Sequence, residues 1–197
     1  MPRAALRAPI LAQASGEQQV RRALHSRVFL DPRAFAFVPT LEAAFPSLLT
    51  ELERLPTTAF DESPDALSIA AQGYDERGWR SLELHGRDGL EANRALAPRA
   101  AAAAAVVPGM VHAGLSLLLP GTHLEPHRGE RAGVLRCHLA LSVPHGDCAI
   151  RGAGQTRGWT PGRCLVFDDT QVHEAWNHGD GERVVLLVTF RPSALPR

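Results

Sequence analysis

Two histidines stand where chemistry could be done. His127 lies in GTHLEPHRG, after a Pro-Gly turn, and His173 lies in CLVFDDTQVHEAWN, after an apolar run. Six of the nine histidines fall in this part of the chain: His112, His123, His127, His138, His145 and His173. Neutral imidazole is the commonest metal ligand. Two such ligands on facing strands leave coordination positions open, and open positions serve catalysis rather than structure. A common open iron site adds a carboxylate to the two histidines. A carboxylate two residues after His127 would project to the same side, but that position is Gly129 and has no side chain. Glu125 or His123 could supply a substitute ligand. Each also reads as an ordinary polar residue near a strand end.

Two arginines add to the picture. Arg183 opens the apolar run RVVLLVTF, and Arg136 and His138 sit two apart in LRCHLAL. Residues two apart on a strand point to one face. Arginine is almost never fully buried without a partner. A dicarboxylate would supply one at each end, because guanidinium and carboxylate pair bidentately. The alternative is a pair of internal salt bridges, for instance to Asp168 or Asp169.

These side chains need elements to hold them. After Pro108, short apolar runs alternate with turns: Gly114–Leu119, Leu135–Val143, Cys148–Ile150, Cys164–Phe167 and Val184–Phe190, separated by Pro120-Gly121, Pro144-His145-Gly146, Pro161-Gly162 and Gly179-Asp180-Gly181. This spacing predicts an all-β sandwich or barrel. Residues 16–110 read mainly helical. Thr40 is placed to cap a helix whose Leu41, Ala44, Phe45, Leu48, Leu49, Leu52 and Leu55 share a face; Pro46 fits only in the first turns, so the alternative is a helix that begins there, and Pro56 is the stop. Trp79 to Leu84 reads as a short strand, and Leu90 to Val106 as helix interrupted at Pro98. The polar stretch Asp61–Gly78 reads as a binding loop at the pocket mouth.

Composition narrows the function classes. The 197 residues are 45% hydrophobic and 21% charged, with 21 basic and 21 acidic residues and a net charge of zero. That balance argues against nucleic acid as a partner. Every basic residue among the 21 is arginine. The longest apolar run, Ala100 to Val107, is too short for a membrane span. Cys137, Cys148 and Cys164 form no C-x-x-C pair. With an N-terminus that reads poorly as a secretory signal, they suggest reduced core thiols and a cytoplasmic location.

From Trp79 to Pro192 the chain resembles the aspartyl/asparaginyl β-hydroxylase family of iron(II)- and 2-oxoglutarate-dependent oxygenases. The matching blocks are GWRSLELHG, LSLLLPGTHLEPHRG, LRCHLALSVP, GWTPGRCLVFDDTQVHEAWN and ERVVLLVTFRP. The resemblance implies a mainly β fold with N-terminal helices, a double-stranded β-helix (cupin-like jelly roll). Taken with the helical reading of the N-terminal half and the absence of a visible domain linker, the expectation is one oxygenase domain over residues 1–197, with 1–110 mainly helical and 111–192 forming the β-helix core. The resemblance also implies Fe(II) on His127 and His173, the distal carboxylate of 2-oxoglutarate on Arg183 and Ser116, and its C1 end near Arg136 and His138. Gly129 matches the branch of the family that works with two histidines and water in place of a third protein ligand. Val134 departs from the peptide hydroxylases, which carry an arginine there for the substrate carboxylate.

The activity so implied is hydroxylation of a C–H bond by molecular oxygen, with release of succinate and CO2. The expected substrate is an amino acid, free, peptidyl or carrier-bound. A lipid-acyl hydroxylase and a non-catalytic cupin-like metal-binding or sensor protein are the alternatives. Trp159 and Trp176 are expected in the core, with Trp176 as a wall of the site. Asp168 and Asp169 are expected either to orient a ligand or to cap a turn. The sequence leaves the oligomeric state open.

Overall fold

The computed structural model describes residues 28–62, 78–129 and 131–192. Two antiparallel sheets face each other. Their strands are β1 (Phe29–Leu30), β2 (Asp61–Glu62), β3 (Trp79–His85), β4 (Met110–Leu118), β5 (Thr122–His127), β6 (Leu135–Ser142), β7 (Gly146–Gly152), β8 (Gln155–Gly158), β9 (Cys164–Phe167), β10 (His173–Gly179) and β11 (Arg183–Phe190). The larger sheet runs β1-β9-β6-β11-β4-β3-β2 and the smaller β5-β10-β7-β8. From β4 onward the chain passes back and forth between the sheets, apart from the β7–β8 hairpin, so most strands pair with ones distant in sequence. This winding is the double-stranded β-helix, a jelly roll.

Both faces of the larger sheet are covered, and alternation sorts the side chains. Along β11, Val184, Leu186, Val188 and Phe190 join the core under the helices, whereas Val185 and Leu187 join the core between the sheets. On β6, Leu135, Cys137, Leu139 and Leu141 lie on the helix side. Arg136, His138 and Ala140, of opposite parity, face the smaller sheet. Arg183 shares that inward face with Val185, Leu187 and Thr189. The expected strands after Pro108 are all present.

The helices form a layer over the outer face of the larger sheet. They are α1 (Val38–Ala43), α2 (Phe45–Leu52), α3 (Glu91–Leu96) and α4 (Pro98–Ala105). The single helix capped by Thr40 is instead two, and Thr40 lies inside α1. Pro46 is the cause: it has no N–H to give and its ring clashes with the preceding turn, so a new helix starts around it. The break at Pro98 is as expected. Glu51 of α2 secures α4, its carboxylate accepting from Arg99 N and Ala100 N at 2.8 Å each. That satisfies backbone donors that have no partner within a helix. The small face of α4 (Ala100, Ala101, Ala103 and Ala104) is buried, which lets the helix approach β4 closely.

The three cysteines are buried and free. Among the described residues no helix is long and apolar enough to cross a membrane. Of the expected loop Asp61–Gly78, only Asp61, Glu62 and Gly78 lie within the described residues. Asp61 and Glu62 form strand β2 rather than loop.

Candidate active site

His127 ends β5 and His173 begins β10, and the two are direct cross-strand partners. Their ring centroids are 4.4 Å apart at 56°. Both are buried. Each ring is tied to the backbone two residues before it: Nδ1 of His127 lies 2.6 Å from the Glu125 carbonyl, and Nδ1 of His173 lies 2.8 Å from the Gln171 carbonyl. A carbonyl only accepts, so Nδ1 carries the proton in each ring and Nε2 is the unprotonated nitrogen. Burial, with His127 close by, pushes the His173 pKa down to about 3, against the opposing pull of the Gln171 carbonyl. His173 is therefore neutral at physiological pH, the form a metal requires.

The third-ligand question resolves into a steric fact. A Cβ built on Gly129 would overlap the carboxylate of Asp169. Asp169 fills that space from the opposite strand end. Its Oδ2 lies 3.1 Å from Arg136 Nη2, and its Oδ1 lies 3.6 Å from His173 Nε2. The Gly129 N–H also donates to the Asp169 carbonyl at 2.8 Å. Neither Glu125 nor His123 substitutes as a ligand. Glu125 has an exposed side chain and offers only its carbonyl to His127, while His123 Nε2 lies 2.9 Å from Glu174 on the opposite side of the sheet. Among the described residues no three His, Cys, Asp or Glu side chains come together closely enough to enclose a metal by themselves. Asp168 differs from its neighbour: it accepts from Thr170 N at 3.0 Å and Thr170 Oγ1 at 2.6 Å, shaping the turn before β10.

The two arginines end up in opposite situations. Arg136 takes the internal ion pair with Asp169, the alternative the sequence left open. Arg183 is 2% exposed, and its Nε and Nη1 have no hydrogen-bond partner among the described residues. Its Cζ lies 4.7 Å from the centroid of the Trp159 ring. Burial lowers its pKa to about 10, so it stays charged at neutral pH. Ser116 lies on the same inward face, opposite Val185. Its Oγ accepts from Trp79 Nε1 at 3.0 Å, which leaves its own hydroxyl proton to give. His138 Nε2 is likewise buried without a partner among the described residues, and Trp159 Nε1 lies 3.3 Å from its Nδ1. Burial first, and the nearby Arg183 and Arg136 second, hold the His138 pKa well below the usual histidine value.

Two tryptophans at the site escaped sequence reading. On sequence Trp79 reads only as part of a strand and Trp159 as core packing, yet each gives its indole proton to a site group. The available signal was that a buried indole N–H usually finds a polar partner. Trp176, expected as a wall of the site, is not one. It alternates with the inward Ala175 and packs on the outer face of the smaller sheet, its centroid 5.7 Å from His123 and 6.3 Å from His178.

The fold and site define a class: a double-stranded β-helix with a buried histidine pair and a buried arginine that has no ion-pair partner among the described residues. The chain belongs to the Aspartyl/Asparaginyl beta-hydroxylase family, which it matches over residues 42–192. It is 39% identical over 170 residues to the ornithine lipid ester-linked acyl 2-hydroxylase of Rhizobium tropici, covering 81% of this chain and 59% of that one. It is 40% identical over 83 residues to the mouse aspartyl/asparaginyl beta-hydroxylase, covering 42% of this chain and 11% of that one. The chain thus spans less than two thirds of either relative. Among solved structures, AviO1 from Streptomyces viridochromogenes Tue57 matches with a TM-score of 0.43 at 19% identity, over 90% of this chain and 97% of that one.

Proposed function

We propose that the protein is an iron(II)- and 2-oxoglutarate-dependent hydroxylase. The observation that carries this is Arg183, a buried cation whose Nε and Nη1 have no partner among the described residues, in the same β-core as the buried histidine pair. A buried charge left uncompensated costs several kcal/mol. The arrangement makes sense when an anion completes it. The donor set fits both groups: two imidazole nitrogens without protons for a divalent metal, and Arg183 with the Ser116 hydroxyl for a carboxylate.

Bound together, iron and 2-oxoglutarate supply the oxidising chemistry, in which molecular oxygen yields succinate, CO2 and a hydroxylated product. The chain's own residues do the rest. The Glu125 and Gln171 carbonyls fix the ring orientation of His127 and His173 and keep Nε2 free of protons. Arg183 and Ser116 take the distal carboxylate, while His138 faces the C1 end. Arg136 reaches that end only together with Asp169, so the pair contributes no net charge there. The apolar walls between the sheets exclude water from the anion end.

The substrate we favour is an amino acid, free, peptidyl or carrier-bound. A lipid-acyl substrate is the second reading, favoured by the longer match to the ornithine lipid hydroxylase. The test is succinate formation from 2-oxoglutarate with and without Fe(II), in the presence of amino acid, peptide and ornithine-lipid candidates. Iron-dependent succinate matched by a hydroxylated product supports the proposal, and the productive candidate identifies the substrate class. Metal binding with no succinate from any of them favours a non-catalytic sensor.

A further inference from the structure

Trp159, which lies just before the Pro161-Gly162 turn, touches both His138 and Arg183. Its Nε1 is 3.3 Å from His138 Nδ1, and the two rings are 20° from coplanar with centroids 6.1 Å apart. That is the disposition of an in-plane N–H···N bond. An indole N–H can only donate. Nδ1 must therefore accept, which makes the ring neutral with its proton on Nε2. With the opposite tautomer, the same edge would present a lone pair and repel an anion. One indole N–H thus decides whether His138 offers a donor or an acceptor to the cavity.

The face of the same indole lies against the Arg183 guanidinium. A ring face supports a cation without occupying its N–H groups. A carboxylate in that place would have supported Arg183 equally well but would have used up the donors. Trp159 is buried, 6% exposed.

We propose that Trp159 is a positioning residue that readies two donors for the cosubstrate, His138 for its C1 end and Arg183 for its distal carboxylate. It sets His138 as an Nε2–H donor and supports Arg183 over its ring face, with Nε and Nη1 unpartnered among the described residues. The proposal rests on the 2-oxoglutarate reading above.

The test uses Trp159→Phe, which keeps an aromatic face and removes the N–H. Two quantities are read on the full-length chain: 2-oxoglutarate affinity of the Mn(II)-loaded protein by calorimetry, and the 15N shifts of the His138 ring, assigned by their loss in His138→Gln. The expected result is a roughly tenfold weaker 2-oxoglutarate affinity, the size of one lost hydrogen bond to an ionised group. Mn(II) affinity should be unchanged, and His138 should no longer be purely Nε2–H. In the His138→Gln background, whose amide can donate without a tautomer choice, Trp159→Phe should lose most of its effect. Unchanged 2-oxoglutarate affinity with His138 still Nε2–H would overturn the inference and leave the functional reading standing. If the wild-type protein binds no 2-oxoglutarate, the functional reading falls, and the ring shifts alone decide the role of Trp159: a persistent Nε2–H in the variant refutes it, and its loss supports it.

Discussion

The two ends of the barrel interior solve the same problem in opposite ways. At the histidine end, Arg136 is answered by Asp169 in an internal ion pair. At the other end, Arg183 is answered only by an aromatic face and keeps two N–H groups unpartnered among the described residues. On the function proposed above, the difference separates a charge that belongs to the fold from one that awaits a ligand. Removing one member of a buried pair strands the other, whereas removing an uncompensated charge relieves the fold.

The largest expected effect is at the histidines. His173→Ala should lower affinity for a divalent metal by ~100-fold or more, since even residues that merely support a ligand cost about 10–100-fold. Anaerobic Fe(II) titration measures it, and unchanged affinity would remove His173 from the metal end.

The arginines come next, and their signs should differ. Arg136→Met should destabilise the ligand-free protein by about 3–5 kcal/mol, because the Asp169 carboxylate loses its partner in a buried setting. Arg183→Met should leave stability unchanged or raise it by about 1–3 kcal/mol. Urea melts of both variants without ligand check this. Equal destabilisation would mean that the two arginines are both structural.

Gly129 sharpens the histidine end. Installing an aspartate there to rebuild the usual triad collides with Asp169, so Gly129→Asp does not simply add a ligand. Even Gly129→Ala should cost about 1–3 kcal/mol, because a methyl group must displace a buried, paired carboxylate. Gly129→Ala with Asp169→Ala should recover most of the steric part, so the two changes should be far from additive.

The smallest effect concerns pH. His138 is held neutral in the native protein, while in the unfolded chain it takes up a proton near about pH 6.5. The unfolded state therefore binds more protons below that pH, and stability is full above it and falls as the pH is lowered. His138→Gln should flatten the loss of melting temperature between pH 7.5 and 5. An unchanged slope would assign the loss to other groups.

Much of this was legible in the sequence because strand alternation is strict. Arg136 and His138 share a face with each other and not with Leu135, Cys137 or Leu139, so their inward placement follows from spacing alone. The run RVVLLVTF reads as a strand for the same reason. Strands β5 and β10 are harder: THLEPH and HEAWNHG are polar and one contains proline, because their inner face carries the histidines rather than a hydrophobic row. The helix break before Pro46 was visible as a proline but not as two helices. The fit of Asp169 over Gly129 was beyond reach, because it depends on where two distant strand ends meet. The same holds for Trp159, whose N–H could have pointed anywhere until the turn before β9 was placed.

The central claim is that Arg183 is kept unpartnered for the distal carboxylate of 2-oxoglutarate. Calorimetric titration of the Mn(II)-loaded protein with 2-oxoglutarate and with 2-oxopentanoate, which has a methyl group in place of that carboxylate, tests it most directly. The wild-type protein should prefer 2-oxoglutarate by ~100-fold, the scale of a buried charge-assisted contact. Arg183→Met should bind both equally weakly. An Arg183→Met protein that still prefers 2-oxoglutarate would contradict the account.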